Sequence, residues 1–214
     1  SEITGEGEHK IFTYIKNNFI NKTINDVIYG LDADLIMLSM TIDNCNIYLL
    51  RETIEFGNVI NTNDEGMPIF LYFIINNFKD AIINHLIQEG LKIDDNNNNN
   101  NYHYICDYIL MCFLLGNDFL PHNLSLGIKK GGINILLEFY IDIIENYKKQ
   151  NIVEKNINKN NSIQTNIYLV CINSDNSDND TINDHTINDH TIKSYKNNSF
   201  SINQKFLIEL ILKL

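Results

Sequence analysis

Two carboxylates separated by one residue interrupt an otherwise apolar stretch of the sequence. The segment YGLDADLIML, residues 29–38, places Asp32 and Asp34 between two runs that are both apolar enough for burial. The run before Asp32 is short, β-branched and aromatic, which predicts a buried strand over residues 26–32. Because side chains of an extended backbone repeat with a period of two, we expect both carboxylates to point the same way at the end of that strand.

Three further acids lie at the edges of predicted elements. Glu6 and Glu8 flank Gly7 in GEGEHK, at a predicted helix start, and Asp118 in GNDFLPH follows the end of another predicted helix. Strand ends and the loops after them converge on one edge of a parallel α/β sheet, so these acids are expected to meet. Neighbouring carboxylates repel one another unless cations lie between them, and Mg²⁺ prefers oxygen ligands. Two such ions can activate water and stabilise the leaving oxygen of a phosphodiester. The predicted metal ligands and catalytic residues are Glu6, Glu8, Asp32, Asp34 and Asp118.

Each of these motifs has a simpler explanation when it is taken alone. A D-x-D pair also occurs in phosphatases of the haloacid dehalogenase type and in sugar transferases. Acids at a helix start are favoured by the helix dipole, and Asn-Asp is a common turn sequence. Their joint occurrence in this order is what favours metal-dependent phosphodiester chemistry.

Alternating helices and strands are predicted to position these acids. The apolar spacing after Glu8 predicts an amphipathic helix, and NIYLLRE predicts a strand over residues 46–52. Further helices are predicted from Pro68 to about Gly90, from about residue 102 to Gly116, and over residues 131–149. The predicted fold class is therefore α/β, a layered domain with a mostly parallel sheet.

Two segments are predicted to lack regular structure. Residues 94–102 are an asparagine-rich loop, with six consecutive asparagines at 96–101. Residues 151–200 are rich in Asn, Ser, Asp and Lys and contain a tandem TINDH repeat, which predicts a low-complexity, disordered insertion. His185 and His190 of the repeat could imitate a metal site, but a flexible repeat lacks the surrounding contacts that orient metal ligands.

Composition limits the possible partners. The chain has 214 residues, 44% of them hydrophobic, and a formal net charge of −11, which argues against a nucleic-acid-coating surface on this chain alone. Its 4 cysteines are scattered without a CxxC pair, which indicates reduced thiols. No apolar run reaches the roughly 18–20 residues that a membrane span needs, so no membrane partner is expected.

Five blocks of the sequence resemble the XRN family of eukaryotic 5′→3′ exoribonucleases in the order in which that family carries them. They are GEGEHKIFTYIK, YGLDADLIMLSM, LLRETIEFG, CDYILMCFLLGNDFLPHNLSLGIKKGGINILLEFY and INQKFLIELI. The resemblance implies an incomplete nuclease domain of the PIN/FEN-like type. It implies that residues 1–150 are the second part of the XRN-type nuclease domain and that residues 201–214 begin an XRN-type helical domain.

The resemblance also implies a reaction and its ligands. An XRN-type enzyme would hydrolyse single-stranded RNA with a 5′-monophosphate to nucleoside 5′-monophosphates, using two Mg²⁺ or Mn²⁺ ions. By position in the motifs, Glu8, Asp32, Asp34 and Asp118 would be direct ligands, and Glu6 would act through metal-bound water. Thr4 stands where the family usually has proline, and Ser39 where it usually has glycine.

The family also places further metal-binding aspartates and the basic residues for the 5′ phosphate in a preceding segment. We therefore expect an N-terminal segment of the same polypeptide to complete the site, and this chain alone to be weakly active or inactive. The stretch after Glu52 lacks the cysteine-rich zinc knuckle of the nuclear branch, which favours cytoplasmic mRNA decay over a nuclear role. Two alternatives stay open, a flap-endonuclease-like DNA nuclease and a non-catalytic, nucleic-acid-associated scaffold whose carboxylates hold a structural ion.

Overall fold

The structure groups the chain into two compact units. It is a computed structural model that describes residues 5–18, 25–43, 45–55, 58–59, 62–93, 101–116, 126, 131–157, 167–174 and 198–214. The units are Ser1–Phe113 and Leu114–Leu214, whereas the sequence predicts a change of character near residue 150. Helices and strands occur together, and the predicted α/β class is confirmed. Among the described residues, no helix is both long and apolar enough to cross a membrane.

A three-stranded sheet lies at the centre of the first unit. β1 (Asn25–Tyr29) pairs in parallel with β2 (Asn46–Glu52), and β2 pairs antiparallel with β5 (Phe70–Ile74), in the order β1-β2-β5. A small hairpin of β3 (Ile54–Glu55) and β4 (Asn58–Val59) lies between β2 and β5 in the chain. An antiparallel neighbour needs no helical crossover, so the chain returns to the sheet in the opposite direction. Within the described strands, the mostly parallel sheet of the prediction is one parallel and one antiparallel pairing.

Helices cover one face of this sheet. The first unit contains α1 (Gly7–Asn18), α2 (Ala33–Met40), α3 (Ile75–Gln88) and all but the last residue of α4 (Asn101–Leu114). Helices α2 and α3 both contact β2. Alternate strand residues share a face, so the buried core side chains of β1 and β2 lie on the same side. These core residues are Ile28, Ile47 and Leu49, while Val27, Tyr29 and Tyr72 of the opposite face are exposed.

The prediction of one helix from Pro68 to Gly90 is wrong in its first turns. The residues FLYFI form strand β5, and each pairs with a residue of β2, from Glu52 opposite Phe70 to Tyr48 opposite Ile74. Aromatic and β-branched side chains suit a sheet, and pairing with β2 decides between two conformations that an apolar run permits. Helix α3 begins only at Ile75.

The second unit packs two helices around one aromatic side chain. It contains α5 (Gly132–Ile157), the antiparallel pair β6 (Val170–Ser174) and β7 (Asn198–Ile202), and α6 (Gln204–Lys213). Phe206 of α6 is fully buried, with ring centroids 5.7 Å from Tyr140 and 5.6 Å from Tyr147 of α5.

The predicted low-complexity segment 151–200 is partly regular. The last turns of α5, all of β6 and the first residues of β7 fall within it, so the prediction of disorder is wrong for these residues. Leu169 and Val170, at the start of β6, are buried. The TINDH repeat lies outside the described residues.

Candidate functional site

Asp32 begins helix α2 rather than ending strand β1. Its backbone is extended, with φ −130° and ψ 174°, and its carboxylate Oδ1 accepts a hydrogen bond from the Leu35 amide at 2.8 Å. This is an N-cap contact, which satisfies one of the free amides at a helix start. Asp34 lies in the first turn of the helix, and both carboxyl side chains are exposed. The expected extended D-x-D geometry is therefore wrong, because strand β1 already ends at Tyr29.

A glycine turn joins β1 to this helix. The Gly30 amide donates to the Leu50 carbonyl at 2.8 Å, which continues the parallel ladder by one residue beyond β1. Gly30 has φ +146°, and a β-carbon built there would lie 2.6 Å from Leu35 Cδ1. The chain therefore passes from sheet to helix in a turn that only glycine fits without strain.

Arg51 ties the same turn to the neighbouring strand. Its guanidinium Nη1 donates to the Leu31 carbonyl at 3.2 Å, and Leu31 immediately precedes Asp32. Glu52, the residue after Arg51, also contacts β1, because its Oε1 accepts a hydrogen bond from the Tyr29 hydroxyl. That hydrogen bond raises the pKa of the Tyr29 hydroxyl and lowers the pKa of Glu52. Both contacts join β1 and its turn to the carboxyl end of β2, where the sequence analysis placed the site.

The other end of α2 is held by two side chains from later helices. The Tyr102 hydroxyl donates to the Thr41 carbonyl at 2.7 Å, and Lys79 Nζ donates to the Ile42 carbonyl at 2.6 Å. Burial of Lys79 lowers the pKa of its ammonium group. Thr41 is the C-cap of α2, so Tyr102 satisfies one of the carbonyls that a helix end otherwise leaves free, and Lys79 holds the residue that follows the cap. Helix α2, which carries Asp34, is thus anchored at both ends.

Glu6 and Glu8 lie at the start of α1. Glu8 belongs to its first turn, and the Glu6 carboxylate lies 3.9 Å from His9 Nε2, with both of those side chains mostly exposed. Helix α1 contacts α2, so the two acidic motifs lie on neighbouring helices. Acids in a first turn are favoured by the helix dipole whatever else they do.

The donor chemistry of these residues suits a hard divalent cation, but the described residues do not complete a site. Exposed carboxylates are the ligands that Mg²⁺ takes, often only one or two from protein with water and substrate phosphate completing the shell. Across the described ranges, no group of three or more His, Cys, Asp or Glu residues is placed to hold a metal ion. Asp118 lies outside the described residues. The assignment of Glu6, Glu8, Asp32, Asp34 and Asp118 as metal ligands therefore stays a prediction.

The acidic motifs do not reveal the residues that hold the acids in place. Gly30 and Arg51 stand beside the motif, and Lys79 and Tyr102 come from helices far along the chain. A signal for Arg51 was present, because it is the only arginine of the chain and lies near the end of an apolar strand. Lys79 and Tyr102 carry no such signal, since their contacts are to backbone carbonyls that any residue could offer.

Two family models match the parts of the sequence that carry the predicted acids. A family model described as the XRN 5′-3′ exonuclease N-terminus matches residues 1–53, and one described as the Xrn1 helical domain matches residues 99–205. The first match contains Glu6, Glu8, Asp32 and Asp34, and the second contains Asp118. The second match also begins well before residue 201, where the sequence analysis expected a helical domain.

Characterised relatives agree with the family models. The chain is 33% identical to 5′-3′ exoribonuclease 1 of Saccharomyces cerevisiae over 146 residues, which cover 65% of this chain and 9% of that protein. It is 30% identical to 5′-3′ exoribonuclease 2 of Arabidopsis thaliana, covering 70% of this chain and 18% of that protein. It is 33% identical to human 5′-3′ exoribonuclease 1, covering 67% of this chain and 9% of that protein. The chain therefore spans less than a fifth of the length of these relatives.

Proposed function

Since this chain belongs to the XRN family, we propose that the protein is a metal-dependent 5′→3′ exoribonuclease. The proposed substrate is single-stranded RNA with a 5′-monophosphate, and the proposed products are nucleoside 5′-monophosphates. The observation that carries the proposal is that all five predicted acids fall within the two matches to XRN models. The names of the relatives, each a 5′-3′ exoribonuclease, support the same activity.

The acids would bind two divalent cations, Mg²⁺ or Mn²⁺. When bound, such ions supply an activated water and stabilise the leaving oxygen of the phosphodiester. Asp34 offers an exposed carboxylate on an anchored helix, and Asp32 keeps Oδ2 available while Oδ1 accepts the Leu35 amide. Glu8, on the neighbouring helix α1, and Asp118 would complete the ligands, with Glu6 acting through a water molecule.

Anchoring of α2 supports this role physically. A catalytic carboxylate must keep its position while substrate and cations come and go, and groups held by packing and hydrogen bonds meet that need. The cap at Asp32, the arginine contact to Leu31 and the contacts at Thr41 and Ile42 restrain both ends of the helix.

We propose that the role in the cell is RNA turnover in the cytoplasm, with the nucleus as the alternative compartment. The location of a fluorescent fusion protein distinguishes the two.

Substrate preference and one exchanged carboxylate test the proposal. The full-length natural protein carrying this sequence is incubated with Mg²⁺ and three substrates: 5′-phosphorylated RNA, the same RNA with a 5′-hydroxyl, and a 5′-flap DNA. We expect rapid decay of the phosphorylated RNA only. Asp34→Asn should slow that decay at least about a hundredfold, because amides are weaker ligands for Mg²⁺ than carboxylates.

Asp80→Asn is the matched control, since Asp80 is an exposed acid on α3 outside every motif block. It should leave the decay rate unchanged. Preferential cleavage of the DNA flap would instead support the flap-endonuclease alternative. Metal binding without cleavage of any substrate would support the scaffold alternative. Equal decay by wild type and Asp34→Asn would reject the proposed metal site.

A further inference from the structure

We infer that Arg51 is a positioning residue that sets the orientation of Asp32 and Asp34. The inference rests on the proposed function, because it concerns the cation site that those acids would form. Arg51 reaches the acids through the backbone, by the hydrogen bond from its Nη1 to the Leu31 carbonyl. Its role is therefore distinct from that of a metal ligand or a substrate-binding group.

Leu31 is the one residue between two well-fixed segments. On its amino side, the Gly30 amide makes the last ladder hydrogen bond, to the Leu50 carbonyl. On its carboxyl side, Asp32 caps α2 through the Leu35 amide. The Arg51 contact bridges the gap between them, because it holds the carbonyl that belongs to neither the sheet ladder nor the helix.

Holding that carbonyl also fixes the next residue. The peptide between Leu31 and Asp32 is planar, so the direction of the Leu31 oxygen sets the direction of the Asp32 amide and Cα. A rotation of this peptide would swing the Asp32 carboxylate away and shift the start of α2, which carries Asp34. Such partners of metal ligands typically change metal affinity or activity by about 10- to 100-fold when removed.

The strand that carries Arg51 is itself well held. β2 is the central strand of the described sheet and pairs with β1 and β5. The residue after Arg51, Glu52, accepts a hydrogen bond from Tyr29, which is the last paired residue of β1. Arg51 therefore projects from a rigid base, and its contact with Leu31 transmits that rigidity to the turn.

Direct binding of Mn²⁺, followed by electron paramagnetic resonance, tests this inference without depending on catalysis. Wild type, Arg51→Met and Arg51→Lys are compared in the full-length protein. We expect Arg51→Met to weaken Mn²⁺ binding about tenfold. Arg51→Lys should recover part of that loss, because one donor suffices for one carbonyl.

Thr53→Val is the matched control. Thr53 lies two residues after Arg51, and its Oγ1 donates to the Ile69 carbonyl at 3.0 Å. The variant therefore also loses one side-chain hydrogen bond to the backbone. It should bind Mn²⁺ as wild type does. Circular dichroism shows whether each variant is folded. If Arg51→Met does not fold, the Mn²⁺ affinity of Arg51→Lys is compared with that of wild type instead.

The results separate this inference from the proposed function. Unchanged Mn²⁺ affinity in the folded Arg51 variants, or equal weakening in Thr53→Val, overturns the positioning role even if the wild type degrades RNA. Failure of the wild type to bind Mn²⁺ overturns it as well. Weakened Mn²⁺ binding in a protein that degrades no RNA would support the positioning role and reject only the exoribonuclease.

Discussion

Gly30 and Leu35 lie so close together that a β-carbon at position 30 would stand 2.6 Å from Leu35 Cδ1. Gly30 also has φ +146°, which side chains other than hydrogen rarely permit. Leu35 is buried and donates its amide to Asp32, so the same residue fills the space behind the turn and takes part in the helix cap. The turn geometry and the position of the first aspartate are therefore linked.

Gly30→Ala should lower the free energy of unfolding by about 2–6 kcal/mol, the sum of two costs. Backbone strain at positive φ costs about 1–3 kcal/mol, and the contact with Leu35 adds an overpacking cost of similar size. Urea denaturation measures the change. Gly90→Ala separates the two causes, because Gly90 has φ +108° with no atom within 4 Å of the added β-carbon. Equal losses in the two variants would contradict a specific contact between residues 30 and 35.

Exchanging Asp32 should separate its capping role from its proposed metal role. Asn caps a helix about as well as Asp, so Asp32→Asn should keep the stability of the protein while losing RNA decay. Asp32→Ala should lose decay and also about 1 kcal/mol of unfolding free energy, because the Leu35 amide then lacks its acceptor. Thermal or urea unfolding, measured beside the decay rate, gives both numbers for each variant.

Asp34→Asn is the comparison for that pair. Asp34 lies in the first turn without the cap contact, so its exchange should change stability by only a few tenths of a kcal/mol through the helix dipole. Loss of decay in Asp34→Asn and Asp32→Asn with intact folding would agree with the metal role. Full decay in Asp32→Asn would instead leave Asp32 with capping alone.

The sequence predicted the elements around the acids better than their local geometry. The strand before Asp32 was predicted from its short, β-branched and aromatic run, although it ends at Tyr29 rather than at Asp32. The conformation of Asp32 and Asp34 was not predicted correctly, since a D-x-D sequence fits both a strand end and a helix start. Only the glycine at position 30 could have signalled that the strand stops before the acids.

Long-range contacts account for most of what the sequence could not supply. The sequence from Phe70 to Ile74 is compatible with the first turns of a helix, but pairing with β2 makes it strand β5. Contacts of Tyr102 and Lys79 with α2 join residues tens of positions apart and leave no periodic pattern. The packing of α1 against α2 places Glu8 and Asp34 on neighbouring helices, which motif order alone does not reveal.

Two cysteines of α4 should react slowly in the folded protein. Burial raises the pKa of the Cys106 and Cys112 thiols to about 11. The thiolate is the reactive form, so at pH 8 its fraction is about a hundredfold lower than in an unperturbed thiol. Raising the pH towards 11 should increase the thiolate fraction and the rate of alkylation by iodoacetamide.

Mass spectrometry of alkylated peptides measures this difference residue by residue. The urea-unfolded protein is the control, because its thiols regain an ordinary pKa and should all react at pH 8. Since the folded pKa is raised, the neutral thiol is favoured by folding, and this contribution to stability should fall as the pH rises above the ordinary thiol pKa. Rapid modification of Cys106 in the folded protein at pH 8 would contradict its buried position.

Phe206→Ala should strongly destabilise the second unit. Phe206 is fully buried against Tyr140 and Tyr147, and removing a buried aromatic ring costs about 3–5 kcal/mol through lost burial and the cavity that remains. Ile208→Ala is the control on the same helix, because Ile208 is 58% exposed and should cost much less. Urea unfolding followed by tyrosine fluorescence measures both. Similar losses in the two variants would mean that Phe206 does not join α6 to α5, and the packing of that unit would need another explanation.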